Sequence, residues 1–262
     1  FLRRHYGGVM NIRSSSHAIT RRDYDAVIFD LDGVITQTAT LHKIAWKTLF
    51  DDFLQRYAAR VGEPQRSFDA DSDYRLYIDG KARYDGVAAF LASRGIALPY
   101  GEPGDGSDRE TVCGLGNKKN VLYLELLRSR GAEIYPSSVD LIHELRAKKF
   151  ATAVVSASRN CAEVLEAAQL SDLFDTRVDG IDLERMRLRG KPEPDSFLEA
   201  ARRIAVEPPR AVVVEDAIAG VEAGRRGGFG CVVGVDRTGH ADALKTAGAD
   251  IVVADLVELS TD

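Results

Sequence analysis

The sequence is poor in cysteine, methionine and tryptophan, and it has no excess of positive charge. Its 262 residues include 3 Cys, 2 Met and 1 Trp. Cys113, Cys161 and Cys231 are an odd set without metal-ligand spacing, which argues against a disulfide framework and predicts reduced cysteines in a cytoplasmic protein. The 35 Lys and Arg residues are outnumbered by 40 Asp and Glu. The net charge of -5 therefore provides no field to attract nucleic acid or an anionic membrane.

Long hydrophobic runs are lacking as well. The apolar runs are far shorter than the roughly 18 residues that indicate a membrane span, and the Arg-containing start has no apolar signal-peptide core. We therefore expect no membrane partner and no nucleic-acid partner. Residues 1–22 show no periodicity and are predicted to be a flexible tail, or the end of a linker from a longer polypeptide. The sequence leaves the oligomeric state open, with a monomer as one option.

The sequence does contain short β-branched runs that alternate with helical segments. Runs that are apolar on both faces indicate strands buried between two layers of helices. An α/β class with a doubly wound parallel sheet follows for a core domain made of residues 23–37 and 130–262. The predicted strands lie near residues 25–32, 150–158, 210–216, 230–235 and 250–254.

Residues 38–129 differ in texture and are predicted to form a helical cap domain. Tyr, Phe, Leu, Asp and Arg recur there at helical spacing, without buried-strand runs, and the Gly-rich segments GEPGDG and CGLGN are expected to break the helices. Because this insertion follows the first core strand directly, it can cover the carboxyl ends of the strands, where open α/β sheets bind ligands.

Acidic residues end two of the predicted strands. Asp30 and Asp32 are separated by one residue at the first strand, and Glu215 and Asp216 end the strand near 210–216. Carboxylates that converge on one site repel each other, and a divalent cation such as Mg²⁺, which prefers hard oxygen ligands, can reconcile them. The alternative is that these acids are helix N-caps or solvated loop residues.

The same segments could supply phosphoryl transfer. Asp30 can attack phosphorus, while Asp32, expected to point the same way along an extended strand, can protonate the leaving group. Lys191 lies in a rigid Gly-Lys-Pro turn, where it can neutralise nucleophile and phosphate, although a solvated lysine is the alternative. Hydroxyls and N–H groups at a strand-to-helix junction can bind phosphate oxygens or merely cap the helix. The residues of that junction are Ser156, Ala157, Ser158, Arg159 and Asn160.

In this order, the segments DLDGVIT, SAS, GKPEPD and VVEDA resemble the four motifs of the haloacid dehalogenase (HAD) superfamily. The resemblance implies a Rossmann-like HAD core and a cis Lys191–Pro192 peptide. It makes Asp30 the nucleophile, Asp32 the acid/base, and Ser156 and Lys191 phosphate ligands. The implied magnesium ligands are Asp30, the backbone carbonyl of Asp32, Glu215 and Asp216.

Within the superfamily, DLDGVITQTATLHKIAW, SASRN and GKPEPD are most similar to the β-phosphoglucomutase group. This implies that Thr38, His42 and Trp46 line the cap–core interface over a sugar; otherwise they would be a hinge residue, a satisfied histidine and a packed aromatic. Three further cap residues would bind a second phosphate or support the acid/base; for the two basic residues among them, the alternative is a solvated side chain. These are Arg83, Lys119 and Asn120.

Three functions remain open at this point. The first is a mutase that interconverts a hexose 1-phosphate and a hexose 6-phosphate. The second is a sugar-phosphate phosphatase, in which water attacks the aspartyl phosphate. The third is an inactive regulatory domain of a larger carbohydrate enzyme. Gln37 and Ala217, which depart from the pattern of many relatives, leave the exact sugar unspecified.

Overall fold

A computed structural model describes residues 17–78 and 81–261, and most of the predicted tail, residues 1–16, lies outside the described residues. The strands in chain order are β1 (His17–Ile19), β2 (Ala26–Asp30), β3 (Ala151–Val155), β4 (Thr176–Val178), β5 (Ala211–Glu215), β6 (Cys231–Val235), β7 (Ile251–Val253) and β8 (Leu259–Thr261). Six of them form a parallel sheet in the order β4-β3-β2-β5-β6-β7. The predicted doubly wound fold is confirmed.

Nine helices lie between the strands of the described residues, and three of them, inserted after β2, form a separate group. They are α1 (Ala39–Val61), α2 (Arg83–Ser93), α3 (Val112–Arg130), α4 (Pro136–Ala147), α5 (Cys161–Ala167), α6 (Gly180–Met186), α7 (Asp195–Arg203), α8 (Ile218–Arg226) and α9 (Ala241–Ala247). A π-helical turn covers Tyr74–Ile78, and 3-10 turns cover Pro208–Arg210 and Leu256–Glu258.

The central strands are the ones that the sequence predicted best. Every residue of β2, β5 and β6 is buried, so both faces of each strand must be apolar and the run is easy to recognise. Three strands were missed: β1, β4 and β8. Each has only three residues and includes polar side chains. The predicted tail, residues 1–22, overlaps β1. The backbone of β1 pairs in parallel with β8, so these residues belong to the core.

The cap, α1 to α3 with the π-helical turn, has its own aromatic core. The Phe50 ring lies 5.3 Å from Trp46, 5.2 Å from Phe68 and 4.0 Å from Phe90, measured between ring centroids. The prediction that CGLGN breaks a helix is wrong, since these residues form the first turns of α3. Thr111 caps that helix by accepting the N–H of Gly114, and Gly116 leaves room for the Tyr84 ring, which a Cβ would approach to 2.7 Å.

Two further features bear on the earlier expectations. The three cysteines are buried and unpaired. Among the described residues, no helix has both the length and the apolar character needed to cross a membrane.

Candidate active site

The carboxyl edge of the sheet brings three acidic side chains together. Asp30 is the last residue of β2 and Glu215 the last of β5, and the two strands are paired neighbours. Asp216 follows directly. One carboxylate oxygen of each residue lies within 4.8 Å of the others. Asp30 and Glu215 are buried, so their charges are held close together with little water between them.

Lys191 provides the positive charge of this cluster. Its Nζ donates to the Asp30 carboxylate and, at 2.9 Å, to Glu215 Oε1. Burial alone would lower the pKa of Lys191, but the charges of Asp30 and Glu215 raise it above its usual value. The lysine is thus a permanent cation. The Lys191–Pro192 peptide is cis, as the sequence predicted.

Two glycines let the acids pack against the backbone. A Cβ on Gly33, whose φ is +86°, would lie 1.8 Å from Asp216 Oδ2. A Cβ on Gly220 would lie 1.6 Å from Glu215 Oε1. Any larger residue at either position would displace a carboxylate, so the cluster depends on these two glycines.

Asp32 lies in the turn after β2 and not on an extended strand, so the predicted geometry is wrong at this point. The strand ends at Asp30, and Asp32 forms an isolated bridge with Thr36. Its carboxylate accepts the Thr38 hydroxyl and, at 3.4 Å, the Ser156 hydroxyl. Burial raises the pKa of Asp32, although these hydrogen bonds oppose the shift. Asp32 thereby contacts Thr38, the residue that precedes α1.

The donor set fits a magnesium ion. Burial, followed by the negative charge of Glu215, raises the pKa values of Asp30 and Asp216 well above the usual range. The cluster is therefore short of positive charge. Within the described residues, the Asp32 carbonyl accepts no hydrogen bond, whereas the carbonyls on either side of it both do. Carboxylate and free carbonyl oxygens are the ligands that Mg²⁺ prefers.

The segment after β3 presents polar groups beside the carboxylates. Ser156 Oγ accepts the Ser158 N–H at 3.1 Å, and Ser158 Oγ accepts the Asn160 N–H at 3.2 Å. Both contacts shape the turn into α5. Ala157 is exposed. Arg159 does not join the cluster, because its guanidinium pairs with Glu184 of α6.

Asn120 joins the cap to the core. Its Oδ1 accepts from Arg83 of α2 at 2.9 Å and from Asn160 of the core at 2.8 Å. These three predicted residues therefore meet where the cap contacts the turn after β3.

Lys119 lies beside this junction in an aromatic pocket. Its Nζ is 2.6 Å from His42 Nδ1, 5.1 Å from the Trp46 ring centroid and 4.7 Å from that of Tyr123. Only 3% of Lys119 is exposed, and burial lowers its pKa to about 7. Burial, with the charge of Lys119, also lowers the pKa of His42 well below its usual value. Two of the predicted interface residues, His42 and Trp46, are thus brought together around Lys119, whereas Thr38 contacts Asp32.

Sequence reasoning missed three residues near this site. Tyr123 stacks on His42 with the ring centroids 4.1 Å apart, and its position four residues after Lys119 could have indicated it. No sequence pattern predicted Glu184, the partner of Arg159. Arg237 donates to the Gly33 carbonyl. It follows β6 at the carboxyl edge of the sheet, and this position in the sequence could have indicated that it lies near the site.

A parallel α/β sheet that brings a cluster of carboxylates and a lysine to its carboxyl edge is suited to phosphoryl transfer, and comparison with known proteins agrees. The chain belongs to the haloacid dehalogenase-like hydrolase family, whose sequence profile matches residues 24–228, and to its β-phosphoglucomutase-like branch. It is 48% identical over 237 residues to β-phosphoglucomutase of Mycobacterium tuberculosis, a match that covers 89% of this chain and 90% of that protein.

Two other similarities bear on function. The crystal structure of β-phosphoglucomutase from Clostridium difficile superposes with a TM-score of 0.70 at 28% identity, covering 90% of this chain and 93% of that one. Validoxylamine A 7'-phosphate phosphatase of Streptomyces hygroscopicus is 31% identical over 241 residues, with 90% and 96% covered. The chain is thus an enzyme, a phosphotransferase or a phosphatase, and the hypothesis of an inactive domain is set aside.

Proposed function

We propose that this protein is a Mg²⁺-dependent, cytoplasmic phosphomutase of the β-phosphoglucomutase type, interconverting a hexose 1-phosphate and a hexose 6-phosphate. One observation carries the proposal. Arg83 and Lys119 are basic side chains at the cap–core junction that form no ion pair within the described residues, and their hydrogen bonds go to Asn120 and His42 and not to the carboxylate cluster. A phosphatase needs one phosphate site, whereas a mutase must also hold a second phosphate.

The first half of the reaction takes place at the core. Asp30 attacks phosphorus to form an aspartyl phosphate, and protonated Asp32 gives its proton to the leaving sugar oxygen. Lys191 already contacts Asp30 and neutralises charge on the nucleophile. The Ser156 hydroxyl, which lies beside Asp32, would bind an oxygen of the transferring phosphate. When bound by Asp30, the Asp32 carbonyl, Glu215 and Asp216, magnesium would supply further neutralisation of phosphate charge.

The second half requires the cap. Phosphorylated Asp30 gives its phosphoryl group to a hydroxyl of a hexose 1-phosphate, the Asp32 carboxylate takes the proton of that hydroxyl, and the Asp30 carboxylate is released. The resulting bisphosphate must turn over before the other phosphate returns to Asp30. Arg83, Lys119 and Asn160 are suited to hold whichever phosphate is remote from Asp30. His42 and Trp46 lie beside them, where the sugar would pass. The closed cap also has to exclude water, because hydrolysis would discharge the phosphoenzyme.

A phosphatase acting on a sugar phosphate is the second candidate, favoured by the similarity to validoxylamine A 7'-phosphate phosphatase. It would share the chemistry at Asp30 and Asp32. Water would then take the place of the sugar hydroxyl in the second step, and the buried cation of the cap would have no phosphate to bind.

The test is to incubate the purified protein and Mg²⁺ with β-glucose 1-phosphate and a trace of glucose 1,6-bisphosphate, while following glucose 6-phosphate and free phosphate together. We expect glucose 6-phosphate with little free phosphate, and no product when a chelator removes the metal. Free phosphate in equal amount to free glucose would identify a phosphatase. Product formation that is unchanged by the chelator would contradict the magnesium site.

Lys119→Met should separate function from stability. Methionine keeps the length and the aromatic contacts of the side chain but removes a buried cation without an ionic partner. We expect turnover of the bisphosphate to fall roughly 10- to 100-fold, the worth of one charge-assisted hydrogen bond. The melting temperature should rise by at least about 2 °C near pH 7, because burying that charge costs free energy.

The gain in stability expected for Lys119→Met depends on pH. The folded protein holds the Lys119 proton less tightly than the unfolded chain, since its pKa falls from 10.5 to about 7. The penalty is therefore largest near and below pH 7 and disappears as the pH approaches 10.5. Lys118→Met is the matched control, because Lys118 pairs with Asp52 at 2.7 Å on another face of α3. Equal losses of turnover in both variants would refute a specific role for Lys119.

A further inference from the structure

Arg237 is a largely buried arginine that contacts the turn carrying Asp32. It lies two residues after β6, and only 13% of its side chain is exposed. Its Nε donates to the Gly33 carbonyl at 3.0 Å, and one terminal nitrogen donates to the Ala254 carbonyl at 3.2 Å and to Asp255 at 3.1 Å. The guanidinium carbon lies 3.6 Å from the centroid of the Tyr135 ring. Arg237 thus connects three loops at the carboxyl edge of the sheet.

The turn after β2 is held by its carbonyl groups. The Val34 carbonyl accepts the Ser138 hydroxyl at 2.6 Å, and the Ile35 carbonyl accepts the Tyr135 N–H at 2.9 Å. The Gly33 N–H donates to the Thr36 carbonyl at 2.8 Å. In a trans peptide the N–H and the preceding C=O point in opposite directions. The Gly33 N–H bond therefore turns the Asp32 carbonyl outward.

Gly33 is the point at which this arrangement could fail. Its φ of +86° and its lack of a side chain make it the most freely rotating residue of the turn. Arg237 holds the peptide that follows Gly33 by donating to the Gly33 carbonyl. The Asp216 carboxylate packs against the Cα of Gly33. With both flanking peptides fixed, the direction of the Asp32 carbonyl and the place of the Asp32 carboxyl are fixed too.

We propose that Arg237 is a positioning residue that sets the orientation of Asp32 through the Gly33 carbonyl, and so tunes magnesium binding and phosphoryl transfer. The hydrogen bonds of Arg237 go to Gly33, Ala254 and Asp255, and none goes to a proposed metal ligand side chain. The inference rests on the proposed function, since it assigns a supporting role to a residue behind the proposed acid/base and metal ligand.

The test compares Arg237→Met with Arg237→Lys and with Arg210→Met. Arg210 is the matched control, because it binds Asp25 through two nitrogens at 2.8 and 2.9 Å and the Arg22 carbonyl at 2.7 Å, at the amino end of the sheet. Mg²⁺ binding is measured by titration calorimetry without substrate. Steady-state kinetics and thermal unfolding are measured on the same samples, with kinetics run well below each melting temperature.

For Arg237→Met we expect Mg²⁺ affinity to fall roughly 10- to 100-fold, as it does when groups that orient metal ligands are removed. The value of kcat should fall with it, while KM for the sugar phosphate changes little, since the second phosphate binds in the cap. Arg237→Lys should recover part of both losses, because a lysine can still donate to Gly33. Arg210→Met should lower the melting temperature only.

Two results would overturn the inference. One is unchanged Mg²⁺ affinity and kcat in folded Arg237→Met, or in Arg237→Lys if the methionine variant does not fold. The other is an equal loss of Mg²⁺ affinity in Arg210→Met, which would make the effect a general one of stability. A wild-type protein that bound no Mg²⁺ and transferred no phosphate would overturn the proposed function itself, a separate outcome.

Discussion

Asp30→Asn is expected to abolish turnover while the protein stays folded. Asp30 ends β2 at the edge where the carboxylates meet, and its oxygen is the proposed attacking atom. An amide is no nucleophile towards phosphorus, so kcat should fall roughly 10⁵- to 10⁶-fold, as when other enzymes lose their nucleophile. The neutral side chain also removes one charge from a cluster whose acids already repel each other. It also weakens the ion pair with Lys191, which keeps Glu215 as a partner, so the melting temperature should change little.

The measurement combines product formation with mass spectrometry of the protein after exposure to a phosphoryl donor. Wild-type protein should carry one phosphoryl group on Asp30, and the variant none. Asp172→Asn is the control, because Asp172 is an exposed acid in the loop after α5. A variant at Asp30 that still turned over sugar phosphate would contradict an aspartyl phosphate at this position.

The core could be predicted from the sequence because its strands are buried on both sides. A run such as AVVVE in β5 must be apolar throughout, so composition alone locates it. β4 lies at the edge of the sheet and reads Thr-Arg-Val, with an exposed arginine in its middle. Short edge strands of this kind carry too little periodic signal, since their pairing is fixed by distant partners.

The same distinction applies to the site. Residues that end neighbouring parallel strands, such as Asp30 and Glu215, must meet at one edge, so their proximity follows from chain order. The position of Asp32 does not follow, because β2 ends two residues earlier and the turn is shaped by carbonyl contacts with distant segments. The contact of Arg237 with Gly33 spans 204 residues and uses a backbone acceptor, which no side-chain pattern reveals.

Asp32→Asn should distinguish general acid catalysis from support of the turn. Asparagine can accept one of the Thr38 and Ser156 hydroxyls through Oδ1 and donate from Nδ2 to the oxygen of the other, so the turn should keep its shape. It cannot give a proton to a sugar oxygen, and transfer from a hexose phosphate should fall about 10²- to 10⁴-fold. Acetyl phosphate releases acetate, which needs no proton at neutral pH. Phosphorylation of Asp30 by acetyl phosphate should therefore survive in Asp32→Asn and be lost in Asp30→Asn.

The pH profile adds an independent readout for Asp32. Since burial raises its pKa, the protonated form persists to higher pH than for an ordinary aspartic acid. Transfer from a hexose 1-phosphate should fall as the pH rises through that pKa, because the acid loses the proton that it donates. This alkaline decline should be absent when Asp32→Asn is phosphorylated by acetyl phosphate. Equal losses with both donors would instead mean that the substitution disturbs the turn held by Arg237, and that Asp32 acts through its carbonyl alone.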